Sequence, residues 1–300
     1  MRKPKIQQLE SLLTVAKYGS INAAAKANGI PQPSLSRTIR ELEETVKVPL
    51  VVRGRQGITF TKAGEIFVAH IGSVLSELDR AIEEAQELTG RGDMHLSVGI
   101  SPITGNSIFP RAVNLLMNRY PQLQVHVDDN PIGQNIQLLR HGVLDMAIGN
   151  ADAEASFSEF KVEHLFDCPF KICCAKGHPL ENAKSFAELK DARWWVTGEL
   201  QICRRKNPNF AGLTVRQGLD TRSHLVGIPL IKEQGFIALL SAVQIRKYRE
   251  WLSIIPIPCG PVIGHYNLIY PKNVPLTRIA MQMITALHQE ADAYDWHSMA

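Results

Sequence analysis

The chain has 300 residues, of which 45% are hydrophobic and 21% are charged, so it is long enough for two or three globular domains. No apolar run approaches the roughly 18–20 residues of a membrane-spanning helix. No apolar stretch follows the basic N-terminus either, so we expect a cytoplasmic protein without membrane contact. The five cysteines show no paired Cys-x-x-Cys spacing. This argues against a metal site and a disulfide framework, and no cofactor is expected.

Positive charge is concentrated at the N-terminal end of the chain. Residues 1–62 hold 11 Lys and Arg against 4 Asp and Glu, a net charge of +7, whereas residues 63–300 have a net charge of −3. A small basic module on a slightly acidic body favours contact with a polyanion. Double-stranded DNA is the leading candidate, because each phosphate contact releases counterions. A solvated cluster of charged side chains is the alternative that charge alone leaves open.

The basic module has the pattern of a helix-turn-helix followed by a β-hairpin. Two short helices are predicted to end at Gly19-Ser20 and at Asn28-Gly29, and a third carries an apolar stripe from Leu35 to Val46. Residues 50–61 then read as two strands around a glycine-rich tip. Two helices joined by a tight turn are typical of a DNA-reading module, and the hairpin would be its wing.

The exposed side of the third helix carries residue types that read DNA. Gln and Arg pair with base edges in the major groove, and Arg in a wing can reach phosphates or the minor groove. The candidate DNA-binding residues are Gln32, Pro33, Ser34, Ser36, Arg37 and Arg40 on the helix, and Arg53 and Arg55 in the wing. Ion pairs of the helix arginines with Glu41, Glu43 or Glu44 are the structural alternative.

The segment from Gly19 to Glu65 resembles the signature of LysR-type transcriptional regulators. The residues that carry the resemblance are Gln32, Pro33, Ser36, Ile39, Leu42, Glu43, Leu50, Arg53, Thr61, Ala63 and Gly64. It implies a DNA-binding regulator with an all-α winged helix-turn-helix N-terminal domain. The sequence departs from this signature at two positions, and the first is expected to change the local geometry at Gln32. Pro31 replaces a capping serine, which removes one hydrogen bond, and Val48 stands where the family has a glycine after the recognition helix.

A long linker helix is predicted after the wing. From Ala63 to Leu88 there is no proline, and apolar residues recur every three or four positions. This stripe predicts a coiled-coil-like contact with a second copy of the chain, and packing on its own C-terminal domain is the alternative. The resemblance also implies a homodimer whose recognition helices bind an inverted-repeat promoter site. A homotetramer is the larger assembly it implies, and RNA polymerase is a further candidate partner.

The C-terminal part alternates strand-like and helix-like segments, which predicts a parallel α/β sheet with ligands beyond the carboxyl ends of its strands. The segments "FPRAVNLLMNRYPQLQVHV", "LRHGVLDMAIGN", "KGHPL" and "GFIALLS" resemble the periplasmic-binding-protein-like effector domain of LysR-type regulators. This resemblance covers essentially the whole chain and implies two α/β subdomains with a small-molecule effector in the cleft. Ser241 departs from a proline that is usual in the family.

The expected domain boundaries follow from these segments. The winged helix-turn-helix domain is expected at 1–62, the linker and dimerisation helix at 63–92, and the effector-binding domain at 93–300. Subdomain I would comprise 93–166 and 270–300, and subdomain II 167–269. The chain would then cross between the subdomains near Phe166-Asp167 and within His265–Tyr270.

The candidate effector-binding residues follow predicted strands or open predicted helices. They are Ser101, Ile103, Thr104, Asn130, Gln134, Asn150, Thr197, Thr221 and Ser223. Hydroxyls and backbone N–H groups at helix starts favour an anionic metabolite. The basic run Arg204–Lys206 would suit a carboxylate ligand, with a surface cluster as the alternative reading.

Three other functions are alternatives to that of a metabolite-controlled regulator. Cys203, beside the basic residues Arg204–Lys206, could be a redox-sensing thiol, although the next cysteine along the chain is Cys259. A metabolite-binding protein without specific DNA recognition would leave the basic N-terminal module unexplained. An enzyme is not expected, and no catalytic residue is assigned, because the chain lacks the Walker, Gly-x-Ser-x-Gly and His-Glu-x-x-His motifs.

Overall fold

The computed structural model describes residues 3–54, 57–87, 94–150, 158–210, 212–258 and 260–299.

Three helices open the chain: α1 (Ile6–Tyr18), α2 (Ile21–Ala27) and α3 (Gln32–Val46). Gly19 ends α1 in the left-handed conformation, with φ 66°, and Ser20 then caps α2 by accepting the Ala23 N–H at 3.0 Å. These bounds confirm the predicted helix-turn-helix.

A β-hairpin follows α3 and confirms the predicted wing. Strand β1 (Val51–Gly54) pairs antiparallel with β2 (Gly57–Phe60), and Gly54 lies opposite Gly57. Arg55 and Gln56, the residues between the two strands, lie outside the described residues, as does the side chain of Arg53.

Three elements of the N-terminal module meet at one junction. A carboxylate oxygen of Glu43 in α3 accepts the backbone N–H groups of Leu50 and Val51 at 2.7 and 3.0 Å. The Thr61 N–H donates to the Leu50 carbonyl at 3.0 Å, and the Thr61 hydroxyl accepts the Gly64 N–H at 2.9 Å. A Cβ on Gly64 would lie 2.0 Å from the Leu50 carbonyl oxygen, so only glycine fits there. The junction therefore fixes the recognition helix, the wing and the next helix relative to one another.

The residue that follows α3 is left-handed without being a glycine. Lys47 has φ 58° and ψ 29°, and it is the one non-glycine residue with positive φ in the described part of the chain. An L-residue is strained in this conformation and glycine is not. The sequence-based placement of the missing glycine at Val48 was therefore wrong by one residue.

Helix α4 (Lys62–Glu87) confirms the predicted linker helix, and at 26 residues it is about 39 Å long. Its first half packs within the chain: Val68 and Ile71 are buried in the core of the N-terminal module. A Cβ on Gly72 would lie 2.5 Å from the backbone oxygen of His141, so α4 also lies directly against the C-terminal domain. The alternative sequence-based reading, packing within the chain, thus holds for this part of the helix, whereas other apolar residues of α4 stay exposed: Ile66, Val74, Leu78 and Ile82.

The first half of the C-terminal domain contains three parallel strands. Its elements are β3 (Met94–Gly99), α5 (Pro102–Gly105), α6 (Phe109–Arg119), β4 (Leu123–Asp128), α7 (Ile132–Arg140) and β5 (Met146–Asn150). Strand β3 is central and pairs in parallel with both β4 and β5. The predicted alternation of strands and helices is confirmed here.

The second half begins with a 16-residue strand and has its own group of parallel strands. Its elements are β6 (Phe160–Ala175), β7 (Arg193–Val196), α8 (Gly198–Lys206), β8 (Gln217–Asp220), α9 (His224–Gln234), β9 (Phe236–Ser241), α10 (Ala242–Lys247), β10 (Leu252–Ile254), β11 (Ile263–Pro271) and α11 (Arg278–Ala293). Strand β7 pairs in parallel with β8 and β9, β10 pairs with β6, and α11 packs back on α6.

Strand directions place the two parallel groups end to end. The strand order is β4-β3-β5-β11-β6-β9-β7-β8, and β6 pairs antiparallel with both β11 and β9. Because β5 is also antiparallel to β11, strands β3, β4 and β5 run in the direction of β6, and β7, β8 and β9 run against it. The carboxyl ends of the two groups therefore face each other. The predicted parallel sheet is correct within each group and wrong for the whole sheet, because β6 and β11 carry the chain between the two halves.

Replacing Lys47 by glycine should stabilise the end of the recognition helix. We expect Lys47→Gly to stabilise α3 by about 0.5–1 kcal/mol, because the left-handed strain that it removes is larger than the entropic cost of introducing glycine. The measurement is the rate of hydrogen exchange of the α3 amides, which we expect to be slower in this variant. Lys47→Ala is the matched control, since it removes the same side chain and keeps the Cβ. An equal gain in both variants would mean that the lysine side chain, not the backbone, carries the effect.

Candidate DNA interface and effector cleft

The recognition helix presents most of its predicted DNA-binding residues to solvent. Pro31 precedes α3 without a side-chain capping bond, as expected from the loss of the serine. The exposed predicted residues of the helix are Gln32, Pro33, Ser34, Arg37 and Arg40. Ser36 is different: it is only 8% exposed and lies on the inner side of the helix, so its expected place on the exposed face was wrong. The helical period carries position 36 next to buried Leu35 and Ile39.

Arg37 takes part in an ion pair, yet it remains available to a ligand. Its Nε lies 2.8 Å from a carboxylate oxygen of Glu41, one turn further along α3. The structural alternative from the sequence is thus realised for this arginine. However, the Arg37 side chain is 82% exposed, and an exposed pair of this spacing contributes only about 0.3–0.5 kcal/mol. The guanidinium can therefore exchange Glu41 for a base or a phosphate at little cost.

The carboxyl ends of the two strand groups border a cleft whose floor is formed by β6 and β11. Through Tyr266 of β11, Asn150 at the end of β5 is level with Phe166 of β6. Ser241 at the end of β9 is level with Phe170 of β6. Four strand residues span about 13 Å, which is the width of a small metabolite with its contacts.

On the first side of the cleft, the predicted residues differ in their accessibility. The Ser101 hydroxyl caps α5 by accepting the Thr104 N–H at 3.3 Å, and the two hydroxyl oxygens lie 2.8 Å apart. Thr104 and Ile103 are buried, so of these three residues Ser101 alone keeps an exposed surface. Asn130 and Asn150 are half-buried, and Gln134 is exposed in the first turn of α7.

The second side of the cleft is lined by helix starts. The Thr197 hydroxyl caps α8 by accepting the Leu200 N–H at 3.2 Å, and Thr197 itself is buried. The Thr221 carbonyl accepts the indole N–H of Trp195 at 2.7 Å, and its hydroxyl accepts the Ser223 N–H at 3.2 Å. The structure thus brings Thr197, Thr221 and Ser223 to the same edge of the sheet.

A buried hydrogen-bonded chain on this side was not predicted as part of the site. Ser241 caps α10 by accepting the Gln244 N–H at 3.3 Å, and the Gln244 amide nitrogen lies 3.0 Å from Nδ1 of His224. Burial lowers the pKa of His224, and the nearby charge of Lys247 lowers it further. The Ser-x-x-Gln spacing of a capping box was the signal available in the sequence.

Beneath the cleft, β6 and β11 carry buried aromatic side chains. Tyr266 stacks on Phe166 with ring centroids 4.8 Å apart, and Trp296 stacks on Phe166 at 3.6 Å. A Cβ on Gly264 would lie 2.9 Å from the Phe170 ring and 3.0 Å from the Tyr266 ring, so the floor requires glycine at this position. These residues were not predicted, because aromatic strand residues read as ordinary core.

Two charged residues of the cleft region were also missed. Glu199 lies half-buried in the first turn of α8, where burial raises its pKa while bonds to its own backbone N–H and to Thr197 act against the rise. The Lys247 ammonium donates to the Asn106 side-chain oxygen at 2.6 Å, which links α10 to the end of α5 across the cleft. In contrast, Arg204–Lys206 are exposed in the last turn of α8, so they form the surface cluster that was the alternative reading.

The cysteines that the structure describes are buried thiols without disulfides, namely Cys168, Cys173, Cys174 and Cys203. Burial raises the pKa of Cys168 to about 11 and that of Cys174 to about 12. Cys203 is 8% exposed and lies within α8, and Cys259 lies outside the described residues. Within the described ranges, no group of three or more His, Cys, Asp or Glu side chains is placed to hold a metal ion.

Comparison with known families accounts for both parts of the chain. Residues 6–65 match the family described as bacterial regulatory helix-turn-helix protein, lysR family, and residues 89–292 match the LysR substrate binding domain. The chain belongs to the LysR family. It is accordingly a LysR-type transcriptional regulator with an effector-binding domain, in a family of regulators rather than enzymes.

Curated LysR relatives align along almost the full chain. The regulator TdcA of Escherichia coli K12 is 24% identical over 97% of this chain and 95% of its own length. The hydrogen peroxide-inducible genes activator of Pectobacterium carotovorum is 28% identical over 96% of this chain and 97% of its own. The relatives thus include a peroxide-responsive protein, but the buried cysteines described above do not favour a redox role for this LysR member.

Solved LysR structures share the fold. ArgP from Mycobacterium tuberculosis superposes with a TM-score of 0.70 at 16% identity, over 97% of each chain. DarR from Vibrio fischeri, solved in complex with DNA, superposes with a TM-score of 0.55 at 19% identity, over 97% of this chain and 100% of its own. None of the helices described for this LysR member is long and apolar enough to cross a membrane.

Cys203 should behave as a structural thiol. In a Cys259→Ser background, we expect the thiol reagent DTNB to label Cys203 only on unfolding, because the thiol is buried in a helix. The measurement is the labelling rate of the native protein, with Cys203→Ser as the matched control. Fast labelling that disappears in the control would restore the redox reading.

Proposed function

We propose that this LysR member is a cytoplasmic regulator that reads an inverted-repeat promoter site in double-stranded DNA under the control of a small anionic metabolite. The recognition helix α3 would enter the major groove and the wing would contact the backbone or minor groove. RNA polymerase is the partner through which a promoter-bound regulator would act. The single observation that carries the proposal is the exposed polar face of α3, on a basic module joined to a two-part domain with a cleft.

We propose Gln32, Pro33, Ser34, Arg37 and Arg40 as the DNA-reading face, with Arg53 and Arg55 as the wing contacts. Gln and Arg supply bidentate hydrogen bonds to base edges. Ser36 is left out of this face because it is buried.

We propose that the effector lies between the facing carboxyl ends of the two strand groups. Ser101, Asn130 and Asn150 would contact it from one side, and Thr197, Thr221 and Ser223 from the other. The Lys247 ammonium supports an acidic group on the effector, since it already bridges the two sides. Thr104 and Ile103 would shape the site from within the core, and Gln134 lies at its outer edge.

We propose the domain boundaries predicted from the sequence, at 1–62, 63–92 and 93–300, with one refinement. Residues Tyr266–Ile269 pair with β5 of the first half. This pairing favours a second crossing between the subdomains at about residues 264–266, a few residues before the predicted end of subdomain II at 269.

We propose that α4 forms the homodimer. Four apolar side chains of α4 are exposed at intervals of four and eight residues: Ile66, Val74, Leu78 and Ile82. Leu78 and Ile82 continue the helical face of buried Ile71 and Leu75 further along α4, and apolar residues at such spacing are buried when two helices associate. Exposed apolar residues of the effector domain, Leu115, Val127 and Leu225 among them, support a larger assembly such as a tetramer.

Arg37 should contribute to specificity more than to general affinity. We expect Arg37→Ala to weaken binding to a selected operator by about 1–3 kcal/mol and binding to random DNA much less. The measurement is fluorescence anisotropy with both duplexes at near-physiological salt. Glu41→Ala is the matched control, because it breaks the same ion pair and leaves the guanidinium in place, and it should retain operator binding. Equal losses on both duplexes would reduce Arg37 to a phosphate contact.

Charges on the exposed stripe of α4 should dissociate the dimer. We expect the double variant Val74→Lys, Leu78→Lys to sediment as a monomer at concentrations where the wild-type protein is a dimer, because two like charges would be buried in the interface. Met281→Lys, at a similarly exposed apolar residue of α11, is the control. A dimer that survives the double variant would move the interface away from α4.

A further inference from the structure

A half-buried histidine on the second side of the cleft is fixed by contacts from two directions. His224 opens α9 directly after the loop that contains Thr221 and Ser223. Its ring meets the Trp195 ring at nearly a right angle, with an interplanar angle of 86° and centroids 5.1 Å apart. Its Nδ1 lies 3.0 Å from the amide nitrogen of Gln244 in α10. The orientation of the imidazole is therefore set by its surroundings.

Ser241 decides which way the Gln244 amide faces. The backbone N–H of Ser241 donates to Oε1 of Gln244 at 3.0 Å, and the Ser241 hydroxyl donates to the same oxygen at 3.0 Å. A backbone N–H can only donate, so the amide atom that faces it must be the oxygen. The amide nitrogen then faces His224, and because this nitrogen also only donates, Nδ1 of His224 must accept.

His224 is consequently neutral and carries its proton on Nε2. A proton on Nδ1 would place two donors against each other. Burial lowers the pKa of His224, and the charge of Lys247 lowers it further, which favours the same neutral form. Nε2 has no hydrogen-bond partner in the described part of the chain, and it is not among the fully buried polar atoms there that lack a partner. Its N–H is therefore a fixed donor that is open to a ligand.

A capping box is an ordinary way to begin a helix, but it does not account for the whole arrangement. The box explains the bonds between Ser241 and Gln244. It does not explain why the same amide also orients a histidine whose remaining donor finds no acceptor in the described fold. Proline, which is usual in the family at position 241, has neither an N–H nor a hydroxyl and could not orient Gln244. The orientation of His224 is thus a feature of this chain.

A positive charge approaches the cleft from the same helix. Lys247 lies three residues after Gln244 in α10, and its ammonium donates to the Asn106 side-chain oxygen at 2.6 Å. An ammonium and a neutral N–H donor both favour an oxygen anion, and both disfavour a ligand group that can only donate. One positive charge matches the single charge of a carboxylate better than the double charge of a phosphate.

We propose that His224 is a specificity-determining contact of the effector, with its Nε2–H donating to a carboxylate oxygen of the ligand. Ser241 and Gln244 are positioning residues, because they act through the imidazole. This inference rests on the proposed effector cleft and narrows its ligand class: the acidic group of the effector is a carboxylate, and it is bound from the second side of the cleft.

The first test separates the two ring nitrogens of His224. The side-chain amide of asparagine ends near the place of Nδ1, and that of glutamine reaches the place of Nε2. The probes are acetate, succinate, 2-oxoglutarate and benzoate, scored by the rise in Tm of the full chain and by calorimetric titration. We expect at least one of them to bind the wild-type protein. His224→Asn should keep the Tm of the ligand-free protein and lose about ten-fold or more in affinity for that probe.

His224→Gln is the matched variant, because it keeps a donor near Nε2 and gives up the contact with Gln244. It should lower the Tm of the ligand-free protein and retain more affinity for the carboxylate than His224→Asn. The opposite order, with full affinity in His224→Asn, would make the histidine a structural contact between α9 and α10 and overturn the proposal.

The second test releases Gln244 without touching His224. Ser241→Pro removes the N–H and the hydroxyl, and the φ of −75° at this position suits proline. The freed amide can then turn its oxygen towards Nδ1, so His224 can take up a second proton. We expect carboxylate affinity to rise in Ser241→Pro between about pH 8 and pH 6, while Lys247 stays charged, and to change little in the wild-type protein. Ser241→Ala, the conservative variant, keeps the N–H and should keep the flat profile.

The outcomes separate this inference from the proposed function. A wild-type profile that rises as steeply as that of Ser241→Pro would overturn the positioning by Gln244. If none of the carboxylates binds the wild-type protein, the assignment of the ligand group is overturned. Loss of specific DNA binding would instead contradict the proposed function and leave the contacts of His224 as measured.

Discussion

The antiparallel pairing of β6 with β11 is the constraint on which the C-terminal domain depends. These two strands run through both halves of the domain. The parallel strands of the first half join β11 through β5, and those of the second half join β6 through β9. Because the two parallel groups point in opposite directions, their carboxyl ends meet over the same stretch of β6, between Phe166 and Phe170. Helix starts, capping hydroxyls and unpaired backbone N–H groups therefore collect around one cleft, whatever the detailed sequence.

A second constraint connects this domain to DNA. Glu43, Thr61 and Gly64 fix the recognition helix and wing to the start of α4, and Gly72 lets the same helix lie against the backbone of His141. One rigid helix thus touches both the DNA-reading module and the domain that carries the cleft. A change in the position of the first half of that domain would be passed along α4 as a movement of the recognition helix.

Local rules predicted most of the fold and some of the site. Caps such as Ser20, helical spacing and the glycine-rich hairpin act over a few residues, so the N-terminal module could be read from the sequence. The position of the family's glycine was assigned to Val48 instead of Lys47, because a strained backbone conformation leaves no mark in the composition of the sequence. The two crossings were expected from the family resemblance, but the antiparallel pairing of the strands that carry them could not be predicted, because their neighbours come from distant segments. Glu199 and Tyr266 were missed because a lone acid or aromatic residue in a strand–helix pattern reads as surface or core.

The measurement that tests the account most directly is a selection of genomic fragments by the purified full chain at near-physiological salt. A full-length variant with Arg37 and Arg40 replaced by alanine serves as the control. We expect the wild-type protein to enrich a few promoter fragments that contain an inverted repeat, and the control to enrich none of them. Unselective enrichment that vanishes with modest salt would contradict the account, since the basic module would then be only an electrostatic anchor for a metabolite-binding domain.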